Sequence, residues 1–239
     1  MALAYSTNLV DLYHGKAEEI LPSFTTESFD LILTDPPYGV KSQSGFRKET
    51  QDEIHNDRPE DRGLIHEVLR ECVRLVGQNR HLYIFGPTDV VDGLKVSAPA
   101  TLIWDRCVVG AGDLTIPWGP SHEHITFAIS KHRHAGQTGK DSPAVRLRKQ
   151  SVIRAMRPTG RKVIHPHEKP IFLLRELIES STTQGNRVLD PFAGSGSTGV
   201  AALLAGRKAT LIESDERWIE HAIDRLASTE EALNRLESA

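Results

Sequence analysis

The residues with the clearest chemistry are Asp35, Pro36, Pro37 and Tyr38, which directly follow a short apolar run. The run at 29–33 has the length and apolar content of a buried parallel strand. Two consecutive prolines stop a strand or a helix, because neither carries an N–H and both fix φ. The sequence therefore predicts a carboxylate, a backbone carbonyl and an aromatic ring held just past the carboxyl end of a strand, where open α/β sheets bind ligands.

These four residues suit a flat heterocycle that carries an amino group. The Asp35 carboxylate and the Pro36 carbonyl are two acceptors without a donor, which matches an exocyclic amino group, and the Tyr38 ring offers a surface for stacking. The same residues are also compatible with a plain strand-end turn, in which Asp35 caps the turn and Tyr38 packs. The rest of the chain has to decide between the two interpretations.

A second candidate site is a tight turn of small residues between a predicted strand and a predicted helix. It comprises Asp190, Pro191, Phe192, Ala193, Gly194, Ser195, Gly196, Ser197 and Thr198. Small residues let backbone amides approach a ligand, and a helix N-terminus favours a carboxylate or a phosphate. Glu213 ends the next predicted strand, 19 residues after Gly194, where a carboxylate can accept from ribose hydroxyls. Together these features favour a nucleoside-bearing cofactor over a structural turn.

The elements that must position these residues alternate between strand and helix. Strands are predicted at about 8–13, 29–34, 81–85, 101–104, 124–129, 187–190 and 209–212, and helices at about 17–24, 64–76, 88–95, 171–179, 198–205 and 216–226, followed by a solvated acidic extension. This alternation predicts an α/β fold with a doubly wound, mostly parallel sheet and helices on both faces. Trp118, in a loop rich in glycine and proline, is expected to pack.

Composition restricts the class of protein. The 239 residues, 38% hydrophobic and 26% charged, are enough for a single domain with a full core. No apolar run approaches the ~20 residues that span a bilayer, and the first residues lack the pattern of a signal peptide. Cys72 and Cys107 have no metal-type spacing, so we expect no metal site and a reducing, cytoplasmic setting.

The net charge of −3 conceals an uneven distribution. Residues 131–162 hold ten basic side chains against Asp141, a net charge of +9, so the rest of the chain carries −12. One face is therefore expected to be strongly positive. We interpret about 130–162 as a basic insert. The long polar segment at about 39–62 is interpreted as a mobile loop over a substrate, with simple disorder as the alternative.

The combination resembles the amino-group DNA methyltransferases, which use S-adenosyl-L-methionine to methylate N6 of adenine or N4 of cytosine. Residues 35–38 resemble their catalytic motif, and residues 190–196 resemble their cofactor motif. The segment 165–170, His-Pro-His-Glu-Lys-Pro, is similar to the His-Pro-x-x-Lys-Pro segment of the permuted branch called beta. The order of the motifs implies a circularly permuted, seven-stranded methyltransferase-type (Rossmann-like) sheet in a single catalytic domain, 1–239, with the basic insert as a short target-recognition region.

The resemblance also assigns roles and partners. Residues 35–38 would be catalytic, and the turn at 190–198, Glu213, His165 and Lys169 would bind the cofactor, although Lys169 could equally be a salt-bridge residue. Side chains expected to contact DNA are Lys41, Arg47, Lys48, Arg146, Arg148, Lys149, Arg154, Arg157 and Arg161. The implied partner is double-stranded DNA with a flipped target base, and a homodimer stays open.

Several alternatives remain at this point. Adenine is preferred because the resembling adenine enzymes commonly begin the catalytic motif with Asp, but N4 of cytosine stays open, as does a non-catalytic DNA-binding subunit of the same fold. Methylation of a glutamine amide is disfavoured, since those enzymes carry Asn at this position and the reverse motif order. One position departs from the family: the first strand ends in Gly15-Lys16 instead of Gly-Asp, which puts that carboxylate's contact with the cofactor adenine in question.

Overall fold

The computed structural model describes residues 2–37, 62–109, 115, 117–130, 149–156 and 168–238. The strands in these residues are β1 Ala2–Ser6, β2 Val10–His14, β3 Phe29–Thr34, β4 Val76–Phe85, β5 Val96–Asp105, β6 His122–Ser130, β7 Val152–Arg154, β8 Arg187–Asp190 and β9 Lys208–Glu213. The helices are α1 Ala17–Ile20, α2 Arg62–Leu75, α3 Ile171–Ser181, α4 Ser197–Leu204 and α5 Glu216–Glu237, with 3-10 turns at Leu21–Ser23 and Thr88–Val91.

All of these strands belong to one sheet, in the order β1-β2-β9-β8-β3-β4-β6-β5-β7. The central strands β2, β9, β8, β3 and β4 run parallel, while β6 is antiparallel to both β4 and β5. The predicted mostly parallel sheet is thus confirmed. Its circular permutation stays a prediction.

The predicted count of seven strands is wrong, because the described residues form nine. The two additional strands lie at the edges of the sheet. β1 pairs antiparallel with β2 and none of its residues is buried, and the three-residue β7 pairs with β5 within the predicted basic insert. β7 has only three residues, and β1 shows no alternation of apolar and polar side chains, so neither carries the period-two pattern that identifies an exposed strand in a sequence.

Helices cover both faces of the sheet, as predicted. Along β3, Leu31 and Leu33 pack in a cluster with α3, α4 and α5, whereas Ile32 points to the other face and packs with α1 and α2. All three side chains are fully buried, and each such side chain contributes about 1.5–3 kcal/mol relative to an exposed one. This two-sided burial fixes β3 in the centre of the molecule and so fixes the position of the residues that follow it.

Two predicted elements end differently in the structure. The helix expected at about 88–95 is only the short turn Thr88–Val91. The acidic extension expected after residue 226 is helical and continues α5 to Glu237. Glu230 there accepts hydrogen bonds of 2.5 Å from both Tyr5 and Thr7, so the hairpin at the start of the chain holds the end of α5. In the part of the chain that the structure describes, every helix is too short or too polar to cross a membrane.

Candidate active site

Asp35 follows β3 directly, and its carboxylate forms an ion pair with Lys169. The distance from Asp35 Oδ2 to Lys169 Nζ is 2.5 Å, and the ammonium also lies 3.3 Å from Glu123 Oε2. Lys169 is only 8% exposed. The structure therefore brings together two residues that the sequence places more than a hundred positions apart.

The Lys169 ammonium lies in a partly aromatic environment. It is 4.7 Å from the centroid of the Phe85 ring and 5.9 Å from that of Trp104, distances at which a cation is attracted to a π face. Burial by itself lowers the pKa of Lys169, but the Asp35 and Glu123 carboxylates together outweigh burial, so the pKa is raised. Lys169 therefore stays charged and keeps a positive charge against Asp35.

Glu123 is a site residue that the sequence did not reveal. It lies on β6 opposite Trp104, and its second carboxylate oxygen is 3.6 Å from Arg106 Nη1. Asp35, Lys169, Glu123 and Arg106 thus form a row of alternating charges that sums to zero. The only signal in the sequence is an acidic residue near the start of a strand, which many exposed strands also carry.

Asp190 ends β8, the direct neighbour of β3, and it is buried. Its Oδ1 accepts hydrogen bonds from Thr34 Oγ1 at 2.8 Å and from the Phe192 amide at 3.1 Å, and Thr198 donates a further one. Burial raises the pKa of Asp190 to about 6, although these hydrogen bonds oppose the shift. Asp190 therefore ties β3, β8 and the start of α4 together.

The glycine turn is closed by hydrogen bonds within the protein. Gly194 and Gly196 have φ values of 50° and 78°, which favour glycine. The Gly194 amide donates to Glu213 Oε2 at 2.7 Å, and the Ala193 amide donates to the Ile212 carbonyl at 2.9 Å. These two amides therefore fix the shape of the turn, and the binding of a ligand by other amides of the turn stays a prediction.

Glu213 is buried at the carboxyl end of β9 and accepts from several backbone amides. The bonds from Gly194 and Asp215 are both 2.7 Å long, and Ser214 donates as well. Burial raises the pKa of Glu213. A carboxylate offers about four acceptor positions, so capacity remains for a hydroxyl of a ligand.

Gly15-Lys16, the segment that departs from the family, directly follows β2 and lies beside Glu213 at the end of β9. The Gly15 amide donates to the Glu213 carbonyl at 2.9 Å, because β2 and β9 are parallel neighbours. Lys16, which follows, is exposed. The residue that follows this backbone contact is therefore an exposed lysine, where the resembling family carries an acid.

Many predicted site residues lie outside the described part of the chain. These are Tyr38, His165, Lys41, Arg47, Lys48, Arg146, Arg148, Arg157 and Arg161, together with residues 39–61 of the predicted mobile loop. Of the predicted DNA contacts, Lys149 and Arg154 are described. Lys149 pairs with Glu176 on α3, whereas Arg154 is exposed and lies 3.2 Å from Asp105.

Trp118 is 84% exposed, so the prediction that it packs is wrong. The loop before β6 holds its ring in solvent, where no described side chain buries it. Other large apolar side chains are also exposed in this region of the chain. Val108 and Val109 follow β5, Met156 follows β7, and Phe172 lies at the start of α3.

Two curated relatives resemble the chain along most of its length. YubD of Escherichia coli (strain K12) is 30% identical over 224 residues, 92% of each chain. The DNA adenine methyltransferase YhdJ of the same organism is 26% identical, over 90% of this chain and 82% of its own.

Solved structures of low sequence identity share the fold. The crystal structure of the M1.HpyAVI–SAM complex has a TM-score of 0.66 at 22% identity and covers 91% of this chain and 99% of its own. The PvuII DNA methyltransferase (cytosine-N4-specific) has a TM-score of 0.73 at 15% identity and covers 98% and 94%. The family model described as DNA methylase, of the N6/N4 methyltransferases, matches residues 103–224. With this match and the 30% identity to YubD, the chain belongs to the N6/N4 DNA methylase family.

Proposed function

We propose that this protein transfers a methyl group from S-adenosyl-L-methionine to the exocyclic N6 of adenine in double-stranded DNA. The observation that carries the proposal is the Asp35 carboxylate, held 2.5 Å from Lys169 beside the strand that leads into the glycine turn. Asp as the first catalytic residue and the relative YhdJ, an adenine methyltransferase, support adenine. The fold shared with a cytosine-N4-specific enzyme keeps N4 of cytosine as the second candidate.

The residues at the glycine turn fit this cofactor. Glu213 has acceptor capacity left for a ribose hydroxyl, and the small residues of the turn allow a ligand to approach closely. Asp190 would act indirectly, by holding β8 against β3. When bound, S-adenosyl-L-methionine supplies an electrophilic methyl group.

The protein's own contribution is to prepare the amino nitrogen of the base. Its lone pair is delocalised into the ring, so the amine is a poor nucleophile. If the Asp35 carboxylate and the Pro36 carbonyl accept hydrogen bonds from its two N–H groups, the nitrogen becomes more tetrahedral and its lone pair is directed towards the methyl group. The Asp35 carboxylate is held in place by Lys169, so positioning and electrostatics contribute more than proton abstraction.

The target base has to leave the duplex for this contact. Flipping costs a few kcal/mol, and stacking on Tyr38 would return roughly 1–3 kcal/mol. The basic insert and the exposed Arg154 would bind phosphates, so DNA binding should weaken steeply as salt rises. We propose a single catalytic domain that carries this insert.

The test is to express the protein in a host without DNA methylation and to measure methylated nucleosides by mass spectrometry. N6-methyladenine is expected. The Asp35→Ala variant should lose the mark while it still binds S-adenosyl-L-methionine in calorimetry; marks that persist would refute the role of Asp35. N4-methylcytosine would replace the adenine assignment, and a wild-type protein that neither methylates nor binds the cofactor would favour the non-catalytic subunit.

A further inference from the structure

Arg225 on α5 contacts two segments that are far apart in the chain. Its Nη1 donates to the Ser195 carbonyl at 3.0 Å, to Ser195 Oγ at 2.8 Å and to Ser197 Oγ at 3.1 Å. Its Nη2 donates to Glu168 Oε1 at 2.7 Å. Both side chains of the ion pair are largely buried, with 19% and 11% of their surface exposed. One guanidinium thus joins the glycine turn to the segment at 168–170.

The segment reached by Arg225 carries the lysine of the candidate active site. Glu168 immediately precedes Lys169, whose ammonium holds Asp35 at 2.5 Å. The contacts therefore continue from Ser195 through Arg225, Glu168 and Lys169 to Asp35. A planar guanidinium donates in several fixed directions at once, which an ammonium cannot reproduce.

We propose that Arg225 is a positioning residue that couples the cofactor turn to Asp35. The inference rests on the proposed function, since it assigns the turn to the methyl donor and Asp35 to the target amine. Arg225 fixes the shape of the turn through its bonds to Ser195 and Ser197. Through Glu168 it also fixes the backbone that presents Lys169. The methyl donor at the turn and the Asp35 carboxylate are thereby held at a fixed distance from each other.

The coupling predicts that the two halves of the Arg225 contact can be separated. Glu168→Gln removes the charge from the contact between Arg225 and the segment that carries Lys169, but it leaves the bonds from Arg225 to the glycine turn. Its cofactor affinity should stay within about threefold of wild type, while the single-turnover methyl transfer rate falls about tenfold, the loss expected for one charged hydrogen bond. Arg225→Gln removes both halves, so affinity and rate should each fall about tenfold or more.

The experiment measures the dissociation constant of S-adenosyl-L-methionine, the single-turnover rate at saturating cofactor and DNA, and the melting temperature. Arg225→Lys serves as a second variant in case Arg225→Gln folds poorly, and it should fall between wild type and Arg225→Gln. Arg235→Gln is the matched control, because Arg235 lies on the same helix in an exposed pair with Glu231. Its affinity and rate should stay within about twofold of wild type, as is usual at exposed sites.

A purely structural salt bridge would give a different pattern. If Glu168→Gln and both Arg225 variants lowered only the melting temperature, with affinity and rate equal to those of Arg235→Gln, the coupling would be refuted. A loss of affinity equal in Glu168→Gln and Arg225→Gln would refute the separation of the two contacts. Failure of the proposed function is distinguishable, since the wild-type protein would then show neither binding nor transfer.

Discussion

The two ends of the sheet's carboxyl edge differ in how far their side chains are buried in the described residues. The end that we propose to bind the cofactor, called the cofactor end below, is formed by β8, β9 and the turn at 190–198. Its buried Asp190 and Glu213 accept from hydroxyls and amides of the chain itself. The end that we propose to meet the DNA, called the target end below, is formed by β5, β6, β7 and their loops, where Trp118, Arg154 and Met156 are exposed. Under the proposed function, the cofactor end is preorganised for one ligand of constant shape, whereas the target end presents side chains that a large partner would cover.

The largest effect is expected where the two ends meet, at Lys169. Lys169→Met keeps an unbranched side chain against Phe85 and Trp104 but removes the cation from Asp35 and Glu123. Misplacing a catalytic group should slow single-turnover methyl transfer about 10²-fold. The free energy of unfolding should fall by about 2 kcal/mol, below the usual cost of breaking a buried pair, because the two carboxylates are partly exposed.

Arg175→Met is the control for this substitution. Arg175 on α3 also pairs with a glutamate, Glu179, at 2.9 Å, but it has no described contact with Asp35. Its loss should leave the transfer rate unchanged and cost about 1 kcal/mol or less of stability. A Lys169→Met enzyme that transfers methyl groups as fast as Arg175→Met would contradict a role of Lys169 in the mechanism.

A second prediction uses the pH dependence of two buried groups. Burial raises the pKa of Asp190 from 3.8 to about 6, so the folded protein binds more protons than the unfolded chain in this range and loses stability as pH rises through it. Burial lowers the pKa of His81, on β4, from 6.5 to about 4, so stability is lost as pH falls through that range. The two contributions have opposite signs and largely cancel.

Removing one of the two titrating groups should make the pH dependence contributed by the other one measurable. Asp190→Asn should steepen the loss of unfolding free energy between pH 7 and pH 4.5 by about 2–3 kcal/mol, since one pKa unit is worth about 1.4 kcal/mol. His81→Asn should change the slope in the opposite direction. Urea unfolding at a series of pH values measures both, and parallel curves for the two variants and wild type would contradict the prediction.

The same contrast explains what the sequence could and could not reveal. The bounds predicted for the strands at 29–34 and 187–190 match β3 and β8, because central strands buried on both faces are short apolar runs between breaks. The parallel topology then placed Asp35 and the glycine turn at one edge. Glu123 and Arg225 were missed, since each acts through a partner that is distant in sequence and neither belongs to a local motif.

A third prediction tests how tightly the cofactor end is packed. A Cβ added at Gly199 would lie 2.6 Å from Leu211 Cδ1 and 2.7 Å from Leu226 Cδ2, and both leucines are fully buried. Gly199→Ala should therefore lower the free energy of unfolding by about 1–3 kcal/mol through overpacking. Gly63→Ala on α2 is the control, because nothing lies within 4 Å of an added Cβ there.

The control has the opposite expected sign. Gly63→Ala should stabilise the protein by up to about 0.5 kcal/mol, the lower end of the helix-propensity difference between the two residues, because Gly63 lies in the first turn of α2. Denaturant unfolding of both variants at one temperature gives the comparison. If both substitutions raised the free energy of unfolding by the same amount, α4 would be able to move away from β9. The cofactor end would then be less rigid than its buried contacts indicate.

The smallest effect is expected at the target end, at Trp118. Because the ring is exposed, Trp118→Ala should change the unfolding free energy by no more than about 0.5 kcal/mol, and the affinity for S-adenosyl-L-methionine should not change. If the ring packs on DNA, the substitution should weaken duplex binding by about 1 kcal/mol, the lower range for aromatic contacts with bases. Leu3→Ala, at an exposed apolar residue on the opposite edge strand β1, should alter neither property. Equal DNA affinity for the two variants would show that the exposed side chains near β5, β6 and β7 do not face the nucleic acid, and the division into a cofactor end and a target end would then hold only for the cofactor.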